Sequence, residues 1–189
     1  MFTGVLPPPQ HGFLKHAHQT PVSLFHPIGY SHFPQRLHLC YPRDVLFLQD
    51  FTSSQGPYID KARTEIGNIC TLLLQKGNFV PGGLRFGVVA FRDHPPQDST
   101  FVTNVLTPGS NPEQVAFVPD AGTVANVLNT LSARGGGDGP EAAADALQLS
   151  LTADWKDGAS RVVILITDAP PHGVEETGDM FPDGCPLRK

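Results

Sequence analysis

The sequence has few of the features that mark secreted or membrane proteins. It has three cysteines, Cys40, Cys70 and Cys185, and none lies in a Cys-x-x-Cys or Cys/His spacing, which argues against a disulfide framework and a zinc motif. Its amino terminus lacks an apolar core followed by a small-residue cleavage site, and no apolar run reaches the roughly 18 residues of a membrane helix. We therefore expect a soluble cytoplasmic chain.

The sequence is also poor in charge, and what charge it has is mainly acidic. Charged residues make up 16% of the 189 residues, and the net charge is −5. With no basic stripe in the sequence, we expect no nucleic-acid partner and no membrane partner. The hydrophobic content of 40% suits a chain with one folded core.

Proline and histidine are concentrated before the first apolar run. Residues 1–42 have scattered prolines without helical or strand periodicity, so we interpret them as an irregular segment that precedes a domain over residues 43–189. A transition-metal site among the histidines of this segment is an alternative, although no pair has the spacing of a site on a predicted helix. These histidines are His11, His16, His18, His26, His32 and His38.

From residue 43 onward, short apolar runs alternate with helical patterns. The runs over 45–49, 84–91 and 161–167 are typical of strands that are buried on both faces. Helical patterns cover 57–77, 123–133 and 140–151. The alternation predicts an α/β fold with a doubly wound, mostly parallel open sheet.

Carboxylates and hydroxyls follow the predicted strands. Asp50 ends the first strand and is followed by Thr52 and Ser54, Asp168 ends the last, and Asp138 lies in the glycine-rich turn RGGGDGPEA. In an open α/β sheet these positions meet at the carboxyl edge, where ligands bind. Oxygen donors of this kind suit Mg²⁺ best, with Mn²⁺ or Ca²⁺ as alternatives.

These loops resemble those of the von Willebrand factor A (VWA) family. The run DVLFLQDFTSS resembles its first strand and metal loop, in which the family has Asp-x-Ser-x-Ser. The runs GGGDGPEAAADAL and VVILITDAPPHG resemble its second and third metal loops. The sequences of these loops most resemble those of a subgroup that includes the VWA domain accompanying some alpha-kinases.

The resemblance implies a metal-ion-dependent adhesion site (MIDAS) that binds a protein partner. Thr52 and Ser54 would bind the ion directly, Asp50 and Asp168 would act mainly through water, and Asp138 stands where the family usually has a threonine. The family continues into two further strands, so the resemblance implies an incomplete VWA fold. The strand over 161–167 would then be an open apolar edge, which predicts self-association.

Each site residue also has a simpler explanation. Asp138 with Glu141 has the pattern of a capping box, Thr52 or Ser54 could cap the first helix, and Asp168 could form an Asx turn. His94 and His172 are candidates only for the rim of the site.

Two other classes of function stay open. A structural interaction domain with a degenerate metal site is the first. The second is a hydrolase similar to haloacid-dehalogenase phosphatases, which needs an acid/base aspartate where this chain has Thr52. We expect no enzyme activity.

Overall fold

The computed structural model describes residues 41–186, which form an α/β fold with a four-stranded mixed sheet. The sheet order is β3-β2-β1-β4, with β1 parallel to β2 and β4 and with β2 antiparallel to β3. The strands are β1 (Arg43–Asp50), β2 (Leu84–Phe91), β3 (Thr103–Val105) and β4 (Ser160–Ile166).

The central strand β1 is buried on both faces, which explains why its sequence is a continuous apolar run. Val45 and Phe47 belong to one core cluster, while Leu46 and Leu48 belong to another. Since successive side chains of a strand point to opposite faces, the two clusters lie on opposite sides of the sheet.

Three helices cover these two faces. They are α1 (Ile59–Lys76), α2 (Ala121–Leu128) and α3 (Ala143–Thr152). Helices α1 and α2 contribute to the cluster around Phe47, and α3 contributes to the cluster around Leu46. Helix α2 begins after Asp120, whose side chain accepts a hydrogen bond from Thr123 N at 2.6 Å.

The described residues confirm the α/β class and the positions of the three predicted strands. Strand β3 was not predicted, because three residues with half-buried side chains produce no clear period. The doubly wound VWA arrangement stays a prediction. The irregular segment predicted over 1–42 lies outside the described residues, apart from its last two. Within residues 41–186, no helix has the length and apolarity to cross a bilayer.

The start of α3 corrects one expectation. The helix begins at Ala143, three residues after Pro140, and no side chain caps it. Glu141 N donates instead to Pro170 O at 2.9 Å, across a short parallel bridge. The capping box predicted for Asp138 and Glu141 is therefore wrong, and both carboxylates serve elsewhere.

Strand β4 lies at an edge of the described sheet, because β1 is its only strand partner there. Val163 and Leu165 are each 40% exposed. Val162, Ile164 and Ile166 pack against the core instead. A lysine at Ile164 would therefore disturb the core, whereas a lysine at Leu165 tests the exposed side of the edge.

We expect the 189-residue chain to self-associate through β4, because an apolar edge strand without a lysine, a proline or an inward-pointing charge can pair with another strand. Leu165→Lys should lower the concentration-dependent mass measured by size-exclusion chromatography with light scattering. The control is Leu151→Lys, since Leu151 is a 73% exposed leucine on α3. A wild-type mass that stays monomeric over the concentration series would contradict this prediction.

Candidate metal site

The parallel register of β1 and β4 brings the first and last predicted metal loops together. Gln49 lies opposite Ile166 in this pairing, so the next residues along the two strands, Asp50 and Thr167, also face each other. Thr167 Oγ1 donates to Asp50 Oδ2 at 2.8 Å. The register therefore fixes one oxygen of Asp50 at the carboxyl edge of the sheet.

Hydrogen bonds connect four of the five predicted metal ligands into one row. Thr52 donates to Asp50 Oδ1 through both its backbone N and its Oγ1, at 2.8 and 2.7 Å. Thr52 Oγ1 lies 3.1 Å from Ser54 Oγ. Ser54 Oγ donates to Asp168 Oδ1 at 3.0 Å. The Thr52 and Ser54 hydroxyls therefore contact carboxylates of the site, and neither caps a helix.

The row has a buried side and an open side. Asp50 and Thr52 are buried, whereas Ser54 and Asp168 are exposed. Burial raises the pKa of Asp50, the hydrogen bonds from Thr52 and Thr167 partly offset this, and the charge of Asp168 adds to the rise. The carboxyl group of Asp50 is thus held out of water, and the site can be reached from solvent at Ser54 and Asp168.

The buried guanidinium of Arg92 holds the loops around this row. It donates to Phe51 O at 3.2 Å and to Ser132 O at 2.9 Å. Phe51 O also accepts from Arg134 N at 2.9 Å. The loop that carries Thr52 is thereby tied to the segment that leads into the glycine-rich turn.

The glycine-rich turn approaches Thr52 closely. Ser53 N donates to Gly135 O at 2.9 Å. Gly136 has φ of +73°, and a Cβ there would lie 2.7 Å from Glu141 Oε1 and 3.1 Å from the Cβ of Thr52. Only glycine fits this position, both because φ is positive and because there is no room for a side chain.

Asp138 belongs to a neighbouring group of side chains. Its Oδ2 accepts from Met180 N at 2.8 Å, while its Oδ1 is buried without a hydrogen-bond partner. Ligand atoms of Asp93, Asp138 and His172 all lie within 4.8 Å of one another. Burial raises the pKa of Asp93, and the nearby carboxyl of Asp138 raises it further.

His172 lies between two carboxylates. Its Nε2 is 2.8 Å from Asp93 Oδ1, and its Nδ1 is 2.8 Å from Asp179 Oδ1. Burial lowers the pKa of His172, but the hydrogen bonds to Asp179 and Asp93 outweigh this and leave the pKa raised. An imidazolium here can donate to both carboxylates and supply a positive charge.

Glu141 links the two groups of carboxylates. It is 3% exposed, and its Oε2 has no hydrogen-bond partner. Burial, followed by the charges of Asp50 and Asp93, raises the pKa of Glu141 to about 9. Without a cation nearby, Glu141 is therefore protonated at neutral pH.

The spacing of the two hydroxyls fits a small hard cation. Two cis ligands of a Mg²⁺ octahedron, with bonds of about 2.0–2.1 Å, lie roughly 3.0 Å apart. The 3.1 Å between Thr52 Oγ1 and Ser54 Oγ matches that edge. The unpartnered oxygen of Glu141 and the raised pKa of Asp50 also indicate buried carboxyl groups that lack a cationic partner.

Two groups among the described residues could hold a metal ion by the proximity of their ligand atoms. One is Asp93, Asp138 and His172, and the other is His94, Asp145 and Cys185. Sequence reasoning placed His94 and His172 only at the rim and did not identify Asp93, Asp145 or Cys185. It considered Glu141 only as part of an alternative capping box with Asp138. The one available signal was that Asp93 and His94 follow a predicted strand, as Asp50 does.

Comparisons with known proteins relate the chain to part of a kinase. It is 32% identical over 145 residues to the alpha-protein kinase vwkA of Dictyostelium discoideum, a match that covers 76% of this chain and 21% of the kinase. The chain thus spans about a fifth of the length of this relative. The identity indicates a domain related to that segment of the kinase. No family model matches the chain.

Solved structures give weaker likenesses. The pilus adhesin SpaC of Lactobacillus rhamnosus GG has a TM-score of 0.49 at 18% identity, over 68% of this chain and 15% of its own. The pilus tip protein Mfa5 of Porphyromonas gingivalis has a TM-score of 0.46 at 19% identity, and the match covers 74% of this chain and 24% of Mfa5. The mussel byssus protein PTMP1 has a TM-score of 0.43 at 18% identity, and the match covers 68% of this chain and 31% of PTMP1. At these values the likenesses support no conclusion about function.

Glu141→Gln should stabilise the metal-free chain at neutral pH. The pKa of Glu141 is about 9 in the folded state against an ordinary value of 4.5, so between these values the unfolded chain loses the proton and the folded chain keeps it. Wild-type stability therefore falls as pH rises through this window, whereas glutamine stays neutral. We expect an advantage of about 3 kcal/mol at pH 7 that disappears below pH 4.

Urea unfolding in the presence of a chelator at several pH values measures this advantage. Glu113→Gln is the control, since Glu113 is exposed on a loop and its substitution should leave the pH profile unchanged. A Glu141→Gln advantage that does not vary with pH would contradict the prediction.

Proposed function

We propose that this chain is a VWA-type, metal-ion-dependent protein-binding module with a MIDAS-like site. The observation that carries the proposal is the pair of hydroxyl oxygens, Thr52 Oγ1 and Ser54 Oγ, at 3.1 Å. Asp50 and Asp168 flank this pair at hydrogen-bond distance. This row combines hard oxygen donors with an open side, as a cation that binds a partner requires.

The relation to a kinase segment supports the assignment to the VWA family. The matching kinase is named vwkA, and the match covers 76% of this chain. The three loops that resemble VWA metal loops lie at or beside the carboxyl edge of the described sheet. The kinase activity of the relative is a property of that protein, and we do not extend it to this chain.

The four residues of the row would have different roles in binding the ion. Thr52 and Ser54 would bind the ion directly, while Asp50 and Asp168 would hold its water ligands. Bound Mg²⁺ would supply a Lewis-acidic position that an oxygen of a protein partner can occupy. The exposed Ser54 and Asp168 lie on the side from which such a partner would approach.

Charge would limit the choice of partner. Asp50, Asp138 and Asp168 together carry −3 when ionised, against +2 for the metal. The family's threonine in place of Asp138 would leave the site neutral. The extra negative charge disfavours a partner carboxylate, so a carbonyl or another neutral oxygen is the better sixth ligand.

A binding module accounts for Thr52 better than a phosphatase does. A hydrolase of the haloacid-dehalogenase type needs a free acid/base carboxyl two residues after its nucleophile. Here a threonine stands at that position and donates its hydroxyl to Asp50 Oδ1 at 2.7 Å. Asp50 is therefore oriented as an acceptor for hydroxyls and water, and we propose no catalytic role for it.

Ser54→Ala should weaken Mg²⁺ binding by at least about tenfold, because it removes one direct oxygen ligand. Asp50→Ala should abolish binding. Calorimetric titration with Mg²⁺ and with Mn²⁺ measures both effects. Ser53→Ala is the matched control, because its hydroxyl is exposed beside Ser54 and is not assigned to the ion. Equal affinity in the wild type and in the Asp50→Ala/Ser54→Ala variant would refute the site.

A second measurement separates a functional site from a degenerate one. Wild-type chain used as bait should capture a protein partner in Mg²⁺ and release it when a chelator is added, and Ser54→Ala bait should fail to capture it. Capture that is insensitive to both changes would favour a structural interaction domain.

Asp138→Asn tests whether Asp138 acts on this ion. Asparagine keeps an oxygen that can accept from Met180 N but removes the negative charge. If Asp138 contributes to the site, Mg²⁺ affinity should fall while the free energy of unfolding without metal stays the same or rises, since the neighbouring Asp93 loses a repulsive partner. Unchanged Mg²⁺ affinity would remove Asp138 from the metal site.

A further inference from the structure

Three side chains of different chemistry meet below the surface, in a group distinct from the Thr52–Ser54 row. His94 follows β2, Asp145 lies on α3, and Cys185 lies in the segment after β4. His94 is 1% and Cys185 is 6% exposed, and the side chain of Asp145 is 11% exposed. Their ligand atoms all lie within 4.8 Å of one another.

A packed loop carries Cys185 to this place. Asp179 accepts hydrogen bonds from Gly173 N at 2.8 Å and from Phe181 N at 2.7 Å. A Cβ on Gly173 would lie 2.8 Å from Gly184 Cα, which shows how closely the two ends of the loop approach. The position of Cys185 thus depends on contacts made throughout residues 173–184.

The ring of Phe181 joins this loop to the two histidines. Its centroid lies 5.3 Å from that of His94 and 4.9 Å from that of His172, both in edge-on arrangements. These contacts exclude water from one side of the His94 ring. The imidazole that faces Cys185 is therefore in a site where a single bound ion would be shielded from solvent.

We propose that His94, Asp145 and Cys185 form a zinc site that holds the segment after β4 to the domain. Thiolate, imidazole and carboxylate are the three donors that Zn²⁺ binds in proteins, and the thiolate separates this site from one selective for Mg²⁺. A water molecule or a further donor would complete the tetrahedron.

The distances and charges agree with this ion. Nitrogen and oxygen ligands of tetrahedral Zn²⁺ lie roughly 3.3 Å apart, and His94 Nε2 lies 3.0 Å from Asp145 Oδ2. A thiolate and a carboxylate together balance the +2 charge of the ion, with the imidazole neutral. A buried site with no net charge avoids the cost of an unpaired ion.

The neighbouring group of Asp93, Asp138 and His172 is less suited to zinc. Both ring nitrogens of His172 are within hydrogen-bond distance of carboxylates, at 2.8 Å each. That ring serves as a cation and has no nitrogen lone pair to offer a metal. In the described contacts, only the Nε2 atom of His94 is within hydrogen-bond distance of a carboxylate, that of Asp145. A metal ion bound between these two atoms would replace that hydrogen bond.

Co²⁺ replaces Zn²⁺ in such sites and reports the thiolate by a charge-transfer absorption in the near ultraviolet. Titration of the reduced 189-residue chain with Co²⁺ should produce this band at one equivalent, and Zn²⁺ should remove it. Cys185→Ser should lose the band, and Asp145→Asn should weaken Co²⁺ binding. Zn²⁺ should raise the midpoint of thermal unfolding of the wild type and not that of Cys185→Ser.

Three controls make the result specific. Cys40→Ser and Cys70→Ala should keep the band, because the proposal assigns neither thiol to the site. Asp50→Ala/Ser54→Ala should also keep it, so this site can succeed or fail independently of the proposed Mg²⁺ site. Binding by histidines of the first 40 residues would produce no thiolate band.

Absence of a thiolate band in the folded, reduced wild type would overturn the proposal, as would a band that persists in Cys185→Ser. Circular dichroism establishes that each variant is folded. If Cys185→Ser does not fold, unweakened Co²⁺ binding by folded Asp145→Asn would overturn it instead.

Discussion

Strand β1 is paired on both edges with parallel neighbours, and the positions of the polar loops depend on this pairing. Its register with β2 continues to Asp50 and Phe91, and its register with β4 reaches Gln49 and Ile166. Because all three strands run in the same direction, the residues that follow each of them emerge at one edge. A shift of register by one residue would turn Asp50 toward the opposite face and separate it from Thr167.

At this edge the fold concentrates more negative charge than it neutralises. Asp50, Asp93 and Glu141 are all buried with raised pKa values, and burial is the largest cause for each. His172 provides a positive charge between Asp93 and Asp179. The remainder must be met by protons or by a cation. Binding of a divalent ion is therefore expected to release protons from the site.

Sequence reasoning predicted most of the sheet and grouped four residues of the candidate site. The runs of β1 and β2 were predicted because strands buried on both faces leave a continuous apolar signal. The apolar run of β4 gave the same signal, but one face of this edge strand is partly exposed, which corrects the expectation of burial on both faces. The short β3 leaves no signal. Asp50, Thr52, Ser54 and Asp168 could be grouped because each follows a recognisable strand. Their hydrogen bonds are consistent with that grouping.

The rest of the site depends on contacts between distant segments, which local patterns do not encode. Glu141 has the spacing of a capping box with Asp138, but its backbone N donates to Pro170 O instead. The side chain of Glu141 lies near the carboxyl groups of Asp50 and Asp93. Cys185 meets His94 only because the loop after β4 closes on itself. Neither a period nor a motif could show these contacts, since they depend on the course of the chain in three dimensions.

The buried guanidinium of Arg92 binds Phe51 O and Ser132 O, and both acceptors belong to the main chain. These two hydrogen bonds therefore do not depend on the side chains at positions 51 and 132. They do depend on the number of residues between the sheet and each of the two carbonyl groups. Evolutionary drift in these segments should therefore proceed by replacement, and insertions or deletions should be rare. Relatives with very different side chains in these loops should retain the same loop lengths. Loop length should then indicate common descent better than loop sequence does.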